Sequence, residues 1–355
     1  MTRDADVVVV GGGINGLAAL RATARAGLDA LLLEQFELGN TRGSSHGGSR
    51  IFRLSYPDVR FARLSVEALE LWRQLEVERN ERLIVHSGSL DFGDEAGAIE
   101  HTFDQLKLPY DVVGADVVAD RWGLATEPGT RHLVQPDGGF LLADRALLAL
   151  ADSARHTGAE ISEQEKVTDI AAEPGGVTLT TGSREITTGA VIIAARPWAH
   201  DLLRPLGVAL PGVATRETVV YFDASHPETL PALVEYPSDK CPLPDGQAYY
   251  SLPAPGRGLK VGVHHAGRPA SPDVDDGPDD AVAEAAIDWV RRRWPSLDPT
   301  PVAVETCFYT NTADARLLVE THGRVVVASA CSGHGFKFGP VTGEQAARLA
   351  LDAAA

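Results

Sequence analysis

The spacing of apolar and polar residues predicts that the chain begins with a buried strand, a glycine-rich turn and a helix. Val7 to Val10 form a continuous β-branched run, which is typical of a central strand in a parallel sheet. The glycine turn and helix follow in GGGINGLAALRATARAG, and a second strand, DALLLEQF, ends near Glu34. Strand, helix and strand in this order predict a βαβ unit with parallel strands.

Helical spacing recurs further along the chain. Residues 60–76 carry apolar side chains at intervals of three and four, and Trp72 among them is predicted to be core. Helices are also predicted from Asp144 to residue 158, over 279–295 with acids first and arginines last, and near the C-terminus in TGEQAARLALDA. The segment SPDVDDGPDD, ahead of the third of these helices, is predicted to be a solvated loop.

Strands predicted between these helices place the chain in the α/β class, with mixed α+β character. Short strands and turns alternate over residues 84–142, and strands return in GVTLTT, in EITTGAVIIAA and in the buried run RVVVASA. We predict two domains that exchange chain more than once. Residues 1–83, 143–212 and 306–355 form a nucleotide-binding domain, and residues 84–142 and 213–305 form a domain built on an antiparallel sheet.

Composition narrows the classes of partner. The 355 residues carry a net charge of −17, which argues against a nucleic-acid partner and against an anionic membrane surface. Cys241, Cys307 and Cys331 lie far apart without CxxC spacing, so neither a disulfide framework nor a metal site is expected. The N-terminus lacks the pattern of a signal peptide, and no apolar run approaches the roughly 20 residues needed to span a bilayer. We therefore expect a cytoplasmic protein.

The first turn has the chemistry of a dinucleotide site. Gly11, Gly13 and Gly16 form GxGxxG, in which the glycines permit a tight turn, the approach of a pyrophosphate and close packing of helix on strand. Glu34 lies about 20 residues downstream, where an acid bonds ribose hydroxyls and disfavours a 2′-phosphate. NAD and FAD both remain open at this point. The predicted cofactor residues here are Gly11, Gly13, Ile14, Asn15, Gly16, Glu34 and Gln35.

Two loops carry cationic side chains that indicate a second functional site besides the dinucleotide turn. GNTRGSSHGGSRIFRLSY, which includes His46, Arg50 and Arg53, is longer than a nicotinamide fold requires, and long loops in compact domains are usually functional. CSGHGFKFGP presents Lys337 between a buried strand and a helix. If they converge, Arg50, Arg53 and Lys337 would hold a substrate carboxylate.

Two strands admit two interpretations each. In GLKVGVHH, period two places Lys260, Gly262 and His264 on one face, which either faces water or borders a site in which Gly262 leaves a gap. In ETCFYT, Cys307 shares a face with Tyr309. A cysteine in such a strand is either a small buried apolar residue or a group with its own chemistry.

Taken in order, five segments resemble a known family. VVVVGGGINGLAAL, GSSHGGSRIFRLSY, GLKVGVHH, TCFYTNTAD and SGHGFKF are similar to the corresponding segments of the monomeric sarcosine oxidase and N-methyltryptophan oxidase family, flavin amine oxidases of the D-amino-acid-oxidase-like group. The resemblance covers nearly the whole chain. It implies a Rossmann-like FAD-binding domain interleaved with an antiparallel-sheet substrate domain, and a monomer.

The resemblance also implies roles for single residues. Cys307 matches the cysteine that tethers FAD covalently, and Lys260 matches the lysine beside which O2 is activated. Arg53 and Lys337 match the residues that bind the substrate carboxylate. His264, Tyr309 and Tyr250 match residues that line the substrate cavity, and His46 and Arg50 match positions close to the flavin ring. The further positions expected to contact the cofactor are Ser45, Val167, Trp198, Gly333, Gly335 and Phe336.

The chain departs from the family at two places near the cofactor. The segment usually read as GAW is ARPW here, with Arg196 and Pro197 before the tryptophan, and Cys331 offers a second thiol near the expected tether. The implied activity is oxidation of a secondary amino acid, sarcosine or another N-methyl amino acid, to an imine, with O2 reduced to H2O2. The alternatives are oxidation of a cyclic imino acid in a biosynthetic pathway, a flavin dehydrogenase with another electron acceptor, and a non-catalytic nucleotide-binding protein.

Overall fold

A computed structural model describes residues 3–329 and 332–354 of the chain. The N-terminal segment forms the predicted βαβ unit, with β1 (Ala5–Val10), α1 (Ile14–Arg25) and β2 (Ala30–Leu33). β1 pairs in parallel with β2 on one side and with β12 (Glu185–Ile193) on the other. Val7, Val8 and Val9 are fully buried, as a continuous apolar run in a central strand requires.

These strands lie in the first of three sheets, which has eight strands. Besides β1, β2 and β12, its strands are β9 (Glu160–Ser162), β10 (Val167–Glu173), β11 (Gly176–Thr181), β19 (Leu318–His322) and β20 (Val325–Ser329). The parallel centre places β9, β2, β1, β12 and β20 side by side, and antiparallel strands extend both β12 and β20.

The second sheet has nine strands and is antiparallel except where β14 pairs in parallel with β5. It is therefore the antiparallel layer that the sequence predicts, with one parallel contact. Its strands are β5 (Ser89–Phe92), β6 (Asp111–Val113), β7 (His132–Gln135), β13 (Val213–Phe222), β14 (Ala232–Glu235), β15 (Ala248–Ala254), β16 (Gly258–His264), β17 (Arg268–Pro269) and β18 (Pro301–Asn311).

A small third sheet joins the long glycine-rich loop to the rest of the molecule. It consists of β3 (Ser49–Phe52), β8 (Gly139–Leu142) and β4 (Ile84–Val85), with β8 between the other two. The helices after α1 are α2 (Val59–Arg79), α3 (Ala96–Leu106), α4 (Ala115–Trp122), α5 (Ala143–His156), α6 (Ala199–Leu203), α7 (Asp280–Arg293) and α8 (Gly339–Ala354). The mixed α/β class predicted from sequence is confirmed.

The prediction of strands and turns alone over residues 84–142 needs correction. Residues 84–142 contain α3 and α4 in addition to strands, because Ile99, Phe103 and Val118 give these segments buried helical positions. The predicted boundary between residues 305 and 306 falls inside β18, which pairs with β13 along its whole length. The predicted strand RVVVASA is β20, and its last residue, Ala330, lies outside the described residues together with Cys331. The domain bounds as a whole stay a prediction.

Helix α1 packs closely on the first sheet and on α8. A Cβ on Gly16 would lie 1.8 Å from the carbonyl oxygen of Gly11, and a Cβ on Gly343 of α8 would lie 2.5 Å from the backbone of Ala18. Only glycine permits these approaches. Because β1, β2, β12 and β20 run in parallel, their carboxyl ends open onto one edge, where α/β sheets bind ligands. Among the described residues, no helix has the length and apolar character to cross a membrane.

Candidate active site

A cavity of about 330 Å³ lies at the carboxyl ends of the parallel strands. Its wall begins with the turn after β1, continues through the ends of β2 and β12, and includes Ser329 at the end of β20. The predicted cofactor residues that line it are Gly11, Gly13, Ile14, Asn15, Glu34, Gln35, Ser45, Val167 and Trp198, together with His46.

The glycine turn has the geometry of a dinucleotide cradle. Gly11 has φ +106°, a value that favours glycine. A Cβ on Gly13 would lie 3.1 Å from the Ser45 hydroxyl oxygen, so the Ser45 side chain lies close to the glycine turn. Ile14 N–H, at the start of α1, donates to Ser45 Oγ at 3.0 Å. The start of a helix therefore faces the cavity with its positive end, which suits a pyrophosphate, and the residues present fit FAD.

Glu34 closes this turn from the second strand. It is 7% exposed, Gly12 N–H donates to its Oε2 at 2.5 Å, and Phe36 N–H donates to its Oε1 at 2.9 Å. Burial raises the pKa of this carboxyl group, against the backbone bonds that lower it. Each carboxylate oxygen can accept more than one hydrogen bond, so Glu34 can hold the turn and still meet a ribose hydroxyl.

The opposite wall contains a loop that the sequence places in solvent. Trp198 Nε1 donates to Asp273 Oδ1 at 2.8 Å, and both residues line the cavity. Arg216, which is 6% exposed, donates to the backbone oxygen of Val274 and lies 3.4 Å from Asp275. The segment SPDVDDGPDD is exposed at most of its positions, as predicted for a solvated loop, and these hydrogen bonds tie it to the cavity wall and to β13.

A second cavity of about 760 Å³ adjoins the first, since Ile14, Ser44 and Ser45 line both. It lies between the end of the parallel sheet and the antiparallel sheet, so it collects side chains from distant segments. The predicted site residues that line it are Arg50, Arg53, Tyr250, Lys260, His264, Cys307, Tyr309, Gly333, Gly335, Phe336 and Lys337. Gly16 lines neither cavity and acts through packing alone.

The polar face of β16 borders this cavity and does not face water. Lys260 is 6% exposed. Burial, followed by the nearby Arg50 charge, lowers the pKa of its ammonium group to about 7. The gap expected at Gly262 is filled by Tyr250, because a Cβ on Gly262 would lie 2.5 Å from the Tyr250 hydroxyl. Of the two interpretations of this strand, exposure of Lys260 to water is wrong, because Lys260 is buried and lines the cavity.

Cys307 and Tyr309 lie on β18 and both line the second cavity. Cys307 is 9% exposed and stands opposite Glu217 in the pairing of β18 with β13. Burial raises the pKa of the Tyr250 and Tyr309 hydroxyls above the ordinary tyrosine value. Both tyrosines are therefore neutral hydrogen-bonding groups at physiological pH.

Arg53 reaches the cavity from the segment that follows β3. Its Nη1 donates to Tyr236 Oη at 2.8 Å, to Asp91 Oδ1 at 3.2 Å and to the backbone oxygen of Ser55. Burial acts against the charge of the guanidinium, but Tyr236 and Asp91 raise its pKa above the usual value for arginine. Arg53 is consequently a permanent cation at the cavity wall.

Lys337 approaches the same region from the turn before α8. It is 3% exposed, and its Nζ donates to Tyr56 Oη at 2.9 Å and to the backbone oxygen of His334 at 3.1 Å. Burial, and then Arg53, lower the pKa of its ammonium group well below the ordinary lysine value. Tyr56 lies between the two cations, with the Arg53 guanidinium carbon 4.5 Å and Lys337 Nζ 5.5 Å from its ring centre.

Three histidines lie beside this cluster and are held uncharged. His264 stacks on His265 with ring centres 3.8 Å apart, and His334 packs against Tyr56. Burial is the first cause that lowers the pKa of His264, His265 and His334. His46 lies apart from them in the first cavity, where its ring nitrogens contact the backbone oxygens of Gly43 and Thr306.

Sequence reasoning missed part of this site. Tyr56 and His334 belong to the segments RLSY and SGHGFKF, and their place in those loops is the only sequence signal that they give. Tyr236 and Asp91 give none, because only the pairing of β5 with β14 brings them to Arg53. Among the described residues, no group of three or more His, Cys, Asp or Glu side chains is placed to hold a metal ion.

Comparison with known proteins gives a consistent result. The model of the FAD dependent oxidoreductase family matches residues 6–349. The chain is 33% identical to the peroxisomal sarcosine oxidase of Homo sapiens, over 96% of this chain and 90% of that one. It is 29% identical to the monomeric sarcosine oxidase of Bacillus sp. (strain B-0618), over 99% of this chain and 93% of that one.

A solved structure shares the architecture over the full length. NikD, described as an unusual amino acid oxidase essential for nikkomycin biosynthesis, superposes in its open form with a TM-score of 0.87. It is 29% identical in sequence, and the match covers 99% of this chain and 95% of the NikD chain. The architecture of this chain is therefore that of a solved amino acid oxidase structure.

Proposed function

The chain belongs to the FAD dependent oxidoreductase family, and from that premise we propose that it oxidises a secondary amino acid, sarcosine or another N-methyl amino acid, and reduces O2 to H2O2. One observation carries the proposal. Arg53 and Lys337 meet around Tyr56 in the cavity that Lys260 and Cys307 also line. A site for an anionic group thus lies in the same cavity as the residues expected beside a flavin.

The cation cluster supports a substrate that carries a carboxylate. The hydrogen-bond partners of Lys337 Nζ in the described chain, Tyr56 Oη and the His334 carbonyl, are both neutral. A carboxylate placed between Lys337 and Arg53 supplies the missing negative charge and favours the protonated lysine. Arg53 adds a planar donor suited to carboxylate geometry.

FAD would supply an acceptor for the hydride equivalent that leaves the carbon next to the substrate nitrogen, and a route for those electrons to O2. Gly11, Gly13 and Glu34 would hold its ADP portion in the first cavity, and Arg50 would lie near its ring. We propose that Cys307 would hold it through a covalent thioether, since this cysteine is the buried thiol that lines the second cavity within the described chain. The new C–S bond would replace the thiol S–H bond and one C–H bond of the flavin, and O2 would take up the two electrons released.

Lys260 supplies the charge for the reduction of O2 in this proposal. Its ammonium group is buried, and its pKa of about 7 leaves both protonation states accessible at physiological pH. A cation held in a low-dielectric cavity stabilises the negative charge that develops on O2. His264 and the hydroxyls of Tyr250 and Tyr309 bound the substrate side of the cavity as neutral groups.

A cyclic imino acid is the second candidate substrate. The volume of the second cavity, about 760 Å³, favours it, because this volume falls in the range of sites for drug-sized ligands. The similarity to NikD, an amino acid oxidase essential for nikkomycin biosynthesis, supports a biosynthetic role for such an activity. The carboxylate would bind at the same two cations. The two candidate substrates therefore share the binding site for the carboxylate and differ in the part of the molecule that fills the rest of the second cavity.

The setting of the reaction is also a proposal. We infer a monomer in the cytoplasm that acts on small molecules, without nucleic-acid or membrane partners. The net charge of −17 and the scattered cysteines support this, and light scattering of the purified protein measures the oligomeric state.

A panel of amines tests the activity. The purified yellow protein is mixed without air with sarcosine, N-methyl amino acids, L-proline, L-pipecolate and primary D-amino acids, and air is then admitted. Bleaching of the flavin, reversed by air with formation of H2O2, supports the oxidase and names its substrate. Bleaching that air reverses slowly and without peroxide points to a dehydrogenase with another acceptor, and absence of bleaching refutes the amino-acid proposal.

A further inference from the structure

Asp91 is a buried carboxylate that the proposed reaction does not use. It lies on β5, is 1% exposed, and its Oδ1 accepts from Arg53 Nη1 at 3.2 Å. Its second oxygen, Oδ2, is buried as well, and the Ser55 side chain and Arg53 both act to lower the pKa of this carboxyl group. Burying a carboxylate costs free energy unless a positive charge offsets it, and Arg53 is the cation that it contacts.

The contact with Asp91 occupies only one end of the Arg53 guanidinium. Nη1 donates to Asp91, Tyr236 and Ser55, and within the described chain every hydrogen bond from Arg53 leaves from this atom. The side chain is 13% exposed and lines the second cavity. Asp91 and Tyr236 therefore fix one end of the guanidinium and leave the other end for a ligand.

The surroundings make Arg53 the dominant charge near Asp91. The strands that flank β5 place Val234 and Leu133 beside it, both apolar. The other ionisable groups that face it are Tyr56 and Tyr236, and burial raises the pKa of both hydroxyls. Burial raises the pKa of Asp91 to about 6, while Arg53 acts in the opposite direction. Asp91 is thus ionised at neutral pH and takes up a proton in mildly acidic solution.

We propose that Asp91 is the resident counter-ion of the carboxylate site, which orients Arg53 and limits the affinity of the site for an anion. The inference rests on the proposed function, in which Arg53 and Lys337 bind the substrate carboxylate. A ligand carboxylate on Arg53 meets the negative charge of Asp91 across the guanidinium, and like charges repel strongly in a poorly solvated site. Asp91 is a positioning residue, since it acts through Arg53.

Binding of methoxyacetate, the ether analogue of sarcosine, tests the inference with the flavin-loaded protein. Its dissociation constant is measured from the change in the visible flavin spectrum at about pH 8 and about pH 5, where the ligand carboxyl stays ionised. Asp91→Asn keeps an acceptor for Arg53 and removes the charge. We expect it to bind methoxyacetate roughly tenfold more tightly than the wild type at pH 8.

The ratio of the wild-type to the variant dissociation constant isolates Asp91, because the other titrating groups are common to both proteins. This ratio should fall towards one at pH 5, where the wild-type Asp91 is protonated. Glu100→Gln is the matched control, since Glu100 also pairs with an arginine, Arg131 at 2.9 Å, and lines neither cavity. Its ratio should stay near one at both pH values.

Two further variants make every outcome informative. Asp91→Ser replaces Asp91→Asn if the asparagine variant does not retain flavin. Unchanged or weaker binding at pH 8, or a ratio that does not change with pH, overturns the role of Asp91. Arg53→Gln checks the premise separately. If it leaves methoxyacetate binding intact, the proposed carboxylate site is wrong, whereas weakened binding together with an inert Asp91→Asn rejects Asp91 alone.

Discussion

Lys337 Nζ donates to Tyr56 Oη at 2.9 Å, although 281 residues separate the two in sequence. A third segment fixes this contact, because Trp72 Nε1 of α2 donates to the backbone oxygen of Lys337 at 2.8 Å. Phe336 stacks on the Trp72 ring with centres 6.4 Å apart. The position of the cation therefore depends on how the glycine-rich loop, α2 and the turn before α8 pack together.

The first prediction concerns the carboxylate site. Lys337→Gln should raise KM for the amino-acid substrate at least about tenfold, because a charged hydrogen bond to the carboxylate is lost. Oxidation of the corresponding amine without a carboxylate should change little. Lys240→Gln, at an exposed lysine that lines neither cavity, is the control. Equal effects on both substrates would contradict the assignment, and steady-state kinetics measures them.

Covalent attachment of the flavin depends on Cys307 in our proposal. Wild-type protein precipitated with acid should give a yellow pellet, and Cys307→Ser should release its flavin into the supernatant. Cys241→Ser is the matched control, because Cys241 is also a buried cysteine but packs in the core of the antiparallel sheet. A colourless wild-type pellet, or a yellow pellet from Cys307→Ser, would refute the tether at this residue.

Lys260 should act on one half-reaction only. Lys260→Met keeps much of the buried volume and removes the charge, so flavin reoxidation by O2 should slow by roughly a hundredfold. Flavin reduction by the substrate should change far less. Stopped-flow traces that follow the two half-reactions separately decide the point, and a similar loss in both would remove Lys260 from the O2 step.

The lowered pKa of Lys260 also predicts that the rate of flavin reoxidation depends on pH. Burial and Arg50 lower the pKa of Lys260 to about 7, so its ammonium group loses the proton as pH rises through this range. If the cation assists O2 reduction, the wild-type rate constant should fall as pH increases above about 7. In Lys260→Met the fall should be absent. A decline that persists in the variant would assign the titration to another group.

Gly16 should be intolerant of a side chain. A Cβ there would lie 1.8 Å from the backbone oxygen of Gly11, so Gly16→Ala must displace α1 from β1. We expect the free energy of unfolding to fall by at least about 2 kcal/mol, together with loss of flavin. Gly97→Ala is the control, because a Cβ at this position in α3 meets nothing within 4 Å. Thermal denaturation monitored by circular dichroism compares the two variants.

Local patterns in the sequence were sufficient for the nucleotide-binding half of the site. Strand, turn, helix and acid could be placed without tertiary information, because their signals lie close together in sequence. The apolar run Val7 to Val10 indicates a buried strand, the glycines indicate a tight turn into a helix, and Glu34 marks the end of the next strand. The alternation of side chains along a strand also predicted which face of β16 carries Lys260. The sequence could not predict whether that face meets water or a cavity, since burial depends on what packs against a strand.

The sequence by itself determined the α/β class, the dinucleotide turn and the candidate cations, because these follow from contacts between near neighbours in the chain. Only the tertiary structure decided that Tyr250 fills the gap at Gly262, and that Asp91 and Tyr236 hold Arg53. These contacts join strands that are distant in sequence and meet by sheet pairing. A buried charge takes its chemistry from the groups packed around it, and no local pattern encodes that arrangement.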